Sequence, residues 1–161
     1  MVLGILDDTK TAENLARHGE CVINYPAPDM WRQVETLAPL TGKEPVPEPK
    51  AKQFRYVKDK FAAAGFTPLA SELVAPLRAQ ECPIQIEARV QQMTPMKGVR
   101  LAALGGGQAV EVEVLRVHAA EEFIVGENYL NAQTWSPLIY NFRHYYRLGD
   151  HELGKTFRAE K

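Results

Sequence analysis

The chain has 161 residues, and at roughly 150 residues per domain the expectation is a single domain spanning 1–161. Hydrophobic residues make up 45% and charged residues 24%, a globular balance that argues against a wholly disordered chain. Lys+Arg is 19 and Asp+Glu is 20, so the formal charge of −1 excludes capture of nucleic acid by bulk charge.

No apolar run approaches the roughly 20 residues that span a bilayer, so a membrane is not an expected partner, and with this charge balance neither is a nucleic acid. Residues 1–6 are apolar, but the run is short, lacks a basic leader and stops at Asp7 and Asp8. Cys21 and Cys82 lie in separate segments and neither belongs to a C-x-x-C pair, which disfavours zinc or iron–sulfur chemistry. These features predict a cytoplasmic protein with reduced thiols and no metal site.

In chain order, Val2–Leu6 reads as a buried strand, short and stopped by acids. Asp8 or Thr9 can cap a following helix, with Ala12, Leu15 and Ala16 as its apolar stripe and Gly19 as its left-handed terminator. Residues 21–24 form a second short strand, broken by Pro26 and Pro28. A second helix is expected over 29–37, with Met30, Val34 and Leu37 facing inward. Prolines at 39, 45, 47 and 49, with Gly42, make 39–49 a Pro-rich loop or arm.

Helical periodicity resumes over 55–64 and ends at Gly65, and 66–79 reads as irregular. Residues 82–90 alternate strictly, with Cys82, Ile84, Ile86, Ala88 and Val90 inward and Gln85, Glu87 and Arg89 outward, as in a half-buried antiparallel strand. Gly105, Gly106 and Gly107 make a turn. It lies between strands and not ahead of a helix, so a phosphate role is the weaker reading. Residues 109–118 form another strand, with Val110, Val112, Val114 and Arg116 on one face. A short strand follows over 121–125, and the tail, 135–157, is rich in aromatics. Antiparallel strands broken by helices, without a regular βαβ rhythm, indicate an α+β, mainly β fold.

Dinucleotide, Walker-loop, nucleophile-elbow and zinc-protease motifs are absent from the sequence. Four histidines, His18, His118, His144 and His151, match no helical metal spacing. His18 fits a helix C-terminus, where its charge favours the dipole. His144 lies within Tyr140-Asn141-Phe142-Arg143-His144-Tyr145-Tyr146, which can either stack a planar ligand or pack at a dimer contact. Thr9, Lys10 and Thr11 at a helix start are the best local anion site, since hydroxyls, an ammonium and free backbone N–H groups converge there; capping explains the threonines equally well.

Thr11-Ala12-Glu13-Asn14-Leu15 followed by Gly19-Glu20-Cys21-Val22-Ile23-Asn24 resembles the T-x-x-N…G-E-x-V-x-N stretch of the flavin reductase-like family. Asp59-Lys60-Phe61 with Ala64-Gly65-Phe66-Thr67-Pro68 resembles its D-K-F…A-G-x-T-P segment. Glu81 through Glu87, then Pro137-Leu138-Ile139-Tyr140 and Tyr145-Tyr146-Arg147-Leu148-Gly149, resemble its later strand and its C-terminal signature.

The resemblance implies a split β-barrel of antiparallel strands with a few peripheral helices, and a homodimer binding FMN at its interface. It also implies NAD(P)H as hydride donor, with the flavin carrying the redox chemistry. It would place Lys10, Thr11 and Asn14, with Thr9 beside them, near the flavin phosphate, and Tyr140, His144 and Tyr145 as lining residues. Met1 aligns with the strand just before the T-x-x-N helix, so the barrel is expected to be shortened at its N-terminus. The alternatives are a planar-ligand module without turnover and an interaction protein whose flavin site is incomplete. Arg55, Arg143 and Arg147 are equally able to meet the 2′-phosphate of NADPH.

Overall fold

The computed structural model describes residues 1–98, 105–126, 129–131, 133–149, 151 and 153. Strand β1 (Val2–Leu6) leads into helix α1 (Lys10–His18) and strand β2 (Glu20–Tyr25). A 3-10 turn (Pro28–Met30) precedes α2 (Trp31–Leu37), and β3 (Leu40–Thr41) pairs in parallel with β4 (Arg55–Tyr56). After α3 (Lys60–Ala64) come β5 (Pro68–Leu69), β6 (Arg78–Ala79) and the long strands β7 (Ile84–Pro95) and β8 (Gly107–Ala119). Two short hairpins finish the described chain: β9 (Ile124–Val125) with β10 (Tyr129–Leu130), and β11 (Ile139–Asn141) with β12 (His144–Tyr146). The far end of the aromatic tail, 154–157, lies outside the described residues.

The protein is mainly β, built on a curled antiparallel half-barrel sheet of order β1-β8-β7-β2. Leu15 of α1 packs on its inner face against Ala88, Val110 and Val112, with Leu3, Ile5, Ile23, Val90 and Met93 around them. Helix α1 sits there because its ends are fixed. Thr9 caps it and accepts from the Ala12 N–H, while Gly19 takes the left-handed conformation at φ 68° and donates to Leu15 O. Burying a leucine of this kind contributes roughly 1.5–3 kcal/mol.

Several expectations are corrected. Val2–Leu6 is an edge strand and not a buried one: among the described residues it pairs with β8 alone, and Val2 is 67% exposed. The expected helix over 55–64 begins five residues later. Arg55 and Tyr56 bond to β3, Val57 N–H donates to Thr41 O, and the Asp59 carboxylate starts α3 by accepting from Ala62 N–H. Over 121–125, a 3-10 turn (Glu121–Phe123) precedes a two-residue strand.

The alternation in the long strands is interrupted by two bulges. Glu87 and Ala88 oppose Arg116 and Val114, leaving Leu115 extra on β8; Val90 and Gln92 oppose Val112 and Glu111, leaving Gln91 extra on β7. Each extra residue shifts the phase of the pleat. Met93 therefore joins Val90 on the core face, and Arg116 leaves the face of Val112 for the opposite one, where it pairs with Glu72.

Gln85 and Glu87, expected to face solvent, are buried. The segment 70–80 crosses that face and takes its hydrogen bonds from them. Glu87 accepts from Glu72 N–H at 2.9 Å, Leu73 N–H at 2.6 Å and His118 Nε2 at 2.7 Å, with Arg78 Nε at 3.9 Å. An ionised carboxylate only accepts, so His118 carries its proton on Nε2. Gln85 Nε2 donates to Ala79 O and Cys82 O. Burial alone would raise the Glu87 pKa, but the Glu72 and Leu73 amides and His118 outweigh it and hold the carboxyl at about 2, against an ordinary 4.5.

Glu87 is 0% exposed, and its depressed pKa makes its stabilisation complete above pH 4.5 and progressively lost as pH falls toward 2. Glu87→Gln should cost about 2–3 kcal/mol at neutral pH. Urea unfolding of the parent and the variant should also show a shallower loss of stability below pH 4.5 in the variant; identical acid limbs would contradict the assignment.

Candidate functional site

The turn from β1 into α1 is shaped by contact with the start of β8. Asp7 N–H donates to Gly106 O at 3.3 Å, and Gln108 Nε2 donates to Asp7 Oδ1 at 2.9 Å. Gly106 has φ 93°, and a Cβ there would lie 2.3 Å from Asp7 Oδ2, so the close approach requires glycine. The triple glycine thus supports the α1 entry from the side.

Thr9 Oγ1 accepts from Ala12 N–H at 3.1 Å and donates to Leu6 O at 2.8 Å, so this hydroxyl is committed to capping. The backbone N–H groups of Lys10 and Thr11 are left without an acceptor among the described residues. The side chains of Thr11 and Asn14 are exposed, with no hydrogen-bond partner among the described residues. Lys10 Nζ and Lys43 Nζ each lie 2.8 Å from a different oxygen of Glu13, and Lys50 Nζ lies 2.8 Å from Asp8 Oδ1. Three ammonium groups therefore share two carboxylates at the positive end of a helix. The hydrogen bonds from Lys10 and then Lys43 hold the Glu13 carboxyl at about 2.

Sequence reasoning named Thr9, Lys10, Thr11 and Asn14 at this helix end and did not name Lys43 and Lys50, which the fold brings beside it. Both come from the neighbourhood of the Pro-rich arm, which lies against α1. Gly42 is close enough to the Lys10 side chain that an added Cβ would sit 3.2 Å from its Cγ.

The aromatic tail builds a different place. The β11–β12 hairpin turns through Phe142 and Arg143, both left-handed at φ 47° and 68°. Its Tyr145 packs on α2, with the ring 6.0 Å from Trp31 and the hydroxyl donating to Glu35 Oε2 at 2.8 Å. Leu138 N–H donates to Pro26 O, tying the hairpin to the end of β2. Between α2 and the hairpin lies an open cleft of about 730 Å³, lined by Trp31, Glu35, Arg143, His144, Tyr145 and Arg147 among others. His144 and Tyr145 line it. Tyr140 does not, but its ring meets Tyr145 edge-on at 5.7 Å. None of residues 9–14 lines this cleft, so the two halves of the expected site are separate within one chain.

A cavity of about 390 Å³ borders α2 and α3, with Phe61, Phe66, Lys60 and Cys82 in its wall. Burial, with Glu81 adding to it, pushes the Cys82 thiol up to about 11, and burial raises Cys21 as well. Both are therefore thiols at neutral pH. His118, placed by sequence at the end of a strand, is the partner of Glu87.

Residues 1–149 match the family model described as flavin reductase like domain. The uncharacterized protein YdfE of Bacillus subtilis strain 168 is 50% identical over 163 residues, covering 99% of this chain and 75% of that protein. Flavoredoxin of Desulfovibrio vulgaris (Miyazaki F) superposes with a TM-score of 0.73 at 21% identity, over 99% of this chain and 76% of that one. A putative flavin reductase with split barrel domain from Shewanella frigidimarina NCIMB 400 gives 0.69 at 18% identity, over 96% and 69%. These two structures share the fold.

The cleft geometry has a titration signature. Burial, then the hydrogen bond to Glu35, pushes the Tyr145 phenol up to about 12, above the ordinary 10. A raised folded-state value means the contribution is complete below pH 10 and lost as pH rises toward 12. Phenolate absorbance should show one tyrosine ionising late, and Glu35→Gln should bring it back toward 10. An unchanged late titration in that variant would place the tyrosine elsewhere.

Proposed function

The chain belongs to the flavin reductase-like family, and on that footing we propose that it binds FMN and works as an NAD(P)H-dependent flavin reductase or oxidoreductase. The observation that carries this reading is the α1 entry. Two backbone N–H groups without acceptors among the described residues, the Thr11 hydroxyl and the ammonium groups of Lys10, Lys43 and Lys50 surround one exposed helix end. A phosphate monoester fits that donor set. It would accept from the Lys10 and Thr11 N–H groups, with Thr9 fixing the turn through its cap and Asn14 one helical turn further on.

FMN supplies the redox chemistry when bound, so this chain's residues need only bind, orient and exclude water. The aromatic hairpin, with Tyr140, His144 and Tyr145, offers a second surface for a planar nucleotide. The reading includes a homodimer. Val117, Val125 and Tyr129 leave apolar surface uncovered that a second copy can bury. It also places the protein in the cytoplasm; among the described residues no helix is long and apolar enough to cross a membrane.

The phosphate assignment is tested by comparing FMN with riboflavin, which lacks the phosphate, in fluorescence titrations. FMN should bind about tenfold tighter or more, ~1.4 kcal/mol for a charge-assisted cradle. Lys10→Ala with Thr11→Ala should erase the difference. Equal affinities for the two flavins in the parent would overturn the assignment.

A further inference from the structure

We propose that the cleft between α2 and the β11–β12 hairpin holds the adenosine end of NADPH, with Arg143 and Arg147 gripping its 2′-phosphate. This rests on the reductase reading and adds to it a preferred donor and a place for that donor to dock. The cleft carries two guanidinium groups and His144 against one carboxylate, Glu35. Among the described residues no carboxylate lies within ion-pair distance of Arg143 or Arg147, whereas Arg78, Arg89 and Arg116 each have one. Two guanidinium groups that line the cleft, without a carboxylate partner among the described residues, suit a dianionic phosphate.

The aromatic residues of the lining suit a planar base. The Trp31 and Tyr145 rings lie 6.0 Å apart, tilted by 37°, and the Arg32 guanidinium lies 4.6 Å from the Trp31 ring centre. Tyr145 is held in place by its bond to Glu35 Oε2. Glu35 Oε1 has no hydrogen-bond partner among the described residues and can accept from a ribose hydroxyl. At about 730 Å³ the cleft falls within the roughly 300–1,000 Å³ range of small-molecule sites.

The backbone adds an independent observation. Phe142 and Arg143 both occupy the left-handed region, where asparagine or glycine would sit at lower cost. The Phe142 side chain is 90% exposed, so packing of that ring does not account for the turn. The turn places Arg143 at the cleft. The proposed flavin-phosphate site at the α1 entry has its own lysines, Lys10, Lys43 and Lys50, so the arginines are not needed for it.

The test pairs an equilibrium measurement with a kinetic one on the full chain. Adenosine 2′,5′-bisphosphate should bind at least about tenfold tighter than 5′-AMP by calorimetry. Arg143→Ala with Arg147→Ala should abolish that difference, and Arg143→Lys with Arg147→Lys should restore part of it. In turnover the parent should favour NADPH over NADH, the double alanine variant should lose this through KM for NADPH, and Arg55→Ala should keep it.

No discrimination between the two adenosine nucleotides, or discrimination that survives loss of both arginines, overturns the proposal. Oxidation of NADH and NADPH with equal efficiency overturns it while leaving the reductase reading intact. Arginine-dependent binding of the bisphosphate with no nicotinamide oxidation upholds the cleft's chemistry and overturns the reductase reading on which the assignment rests.

Discussion

The antiparallel pairing of Ile84–Pro95 with Gly107–Ala119 is the constraint on which the other parts depend. Both partners are long, and each carries one further strand on its free edge, β2 on β7 and β1 on β8. Leu15 reaches the core because Val110 and Val112 are held opposite Met93 and Val90. The same register sets the position of Gly106, whose contact with Asp7 directs the chain into α1. The helix end proposed for the flavin phosphate is thus positioned from the sheet outward. This is the favourable arrangement for a site whose donors are backbone groups that must point correctly.

The second face of that sheet is polar where it is most buried. Glu87 replaces water with two amides and an imidazole, and Gln85 does the same with two carbonyls. A buried carboxylate supplied in this way ties an irregular segment to a strand at a defined position, which apolar packing alone would do less specifically. Asn24 and Glu20 on β2 extend the scheme, accepting from Ala79 N–H and Ala75 N–H. The segment 70–80 follows a row of side chains along the sheet and needs little secondary structure of its own.

Much of this frame was legible in the residues. Alternation marked the strands around 82–90 and 109–118, and Thr9 and Gly19 marked both ends of α1, because period and capping are local signals. The burial of Glu87 was not legible. Polar residues at alternate positions look the same whether solvent or a loop covers them, and the covering residue Glu72 lies 15 residues earlier. The bulges at Gln91 and Leu115 left no mark on composition, although each reverses the facing of the residues beyond it. The hairpin turn was hidden because Phe142 and Arg143 occupy positions usually announced by glycine or asparagine. For the sites, the T-x-x-N pattern pointed to the α1 entry. The contribution of Lys43 and Lys50, and the pairing of Tyr145 with Glu35 from 110 residues away, are products of tertiary structure.

The two proposed anion sites lie on different parts of the chain: lysines with backbone N–H groups at the α1 entry, and arginines with aromatic rings at the C-terminal hairpin. The central claim is that the first holds a flavin that a nicotinamide nucleotide can reduce. The most direct measurement is a visible spectrum of the chain after mixing with FMN and removing the unbound excess, followed by anaerobic addition of NADPH and then NADH. The account predicts retained flavin absorbance approaching one per chain, bleached faster than free FMN by at least one of the two. A colourless protein, or retained flavin that neither nucleotide bleaches above the rate for free FMN, would contradict it.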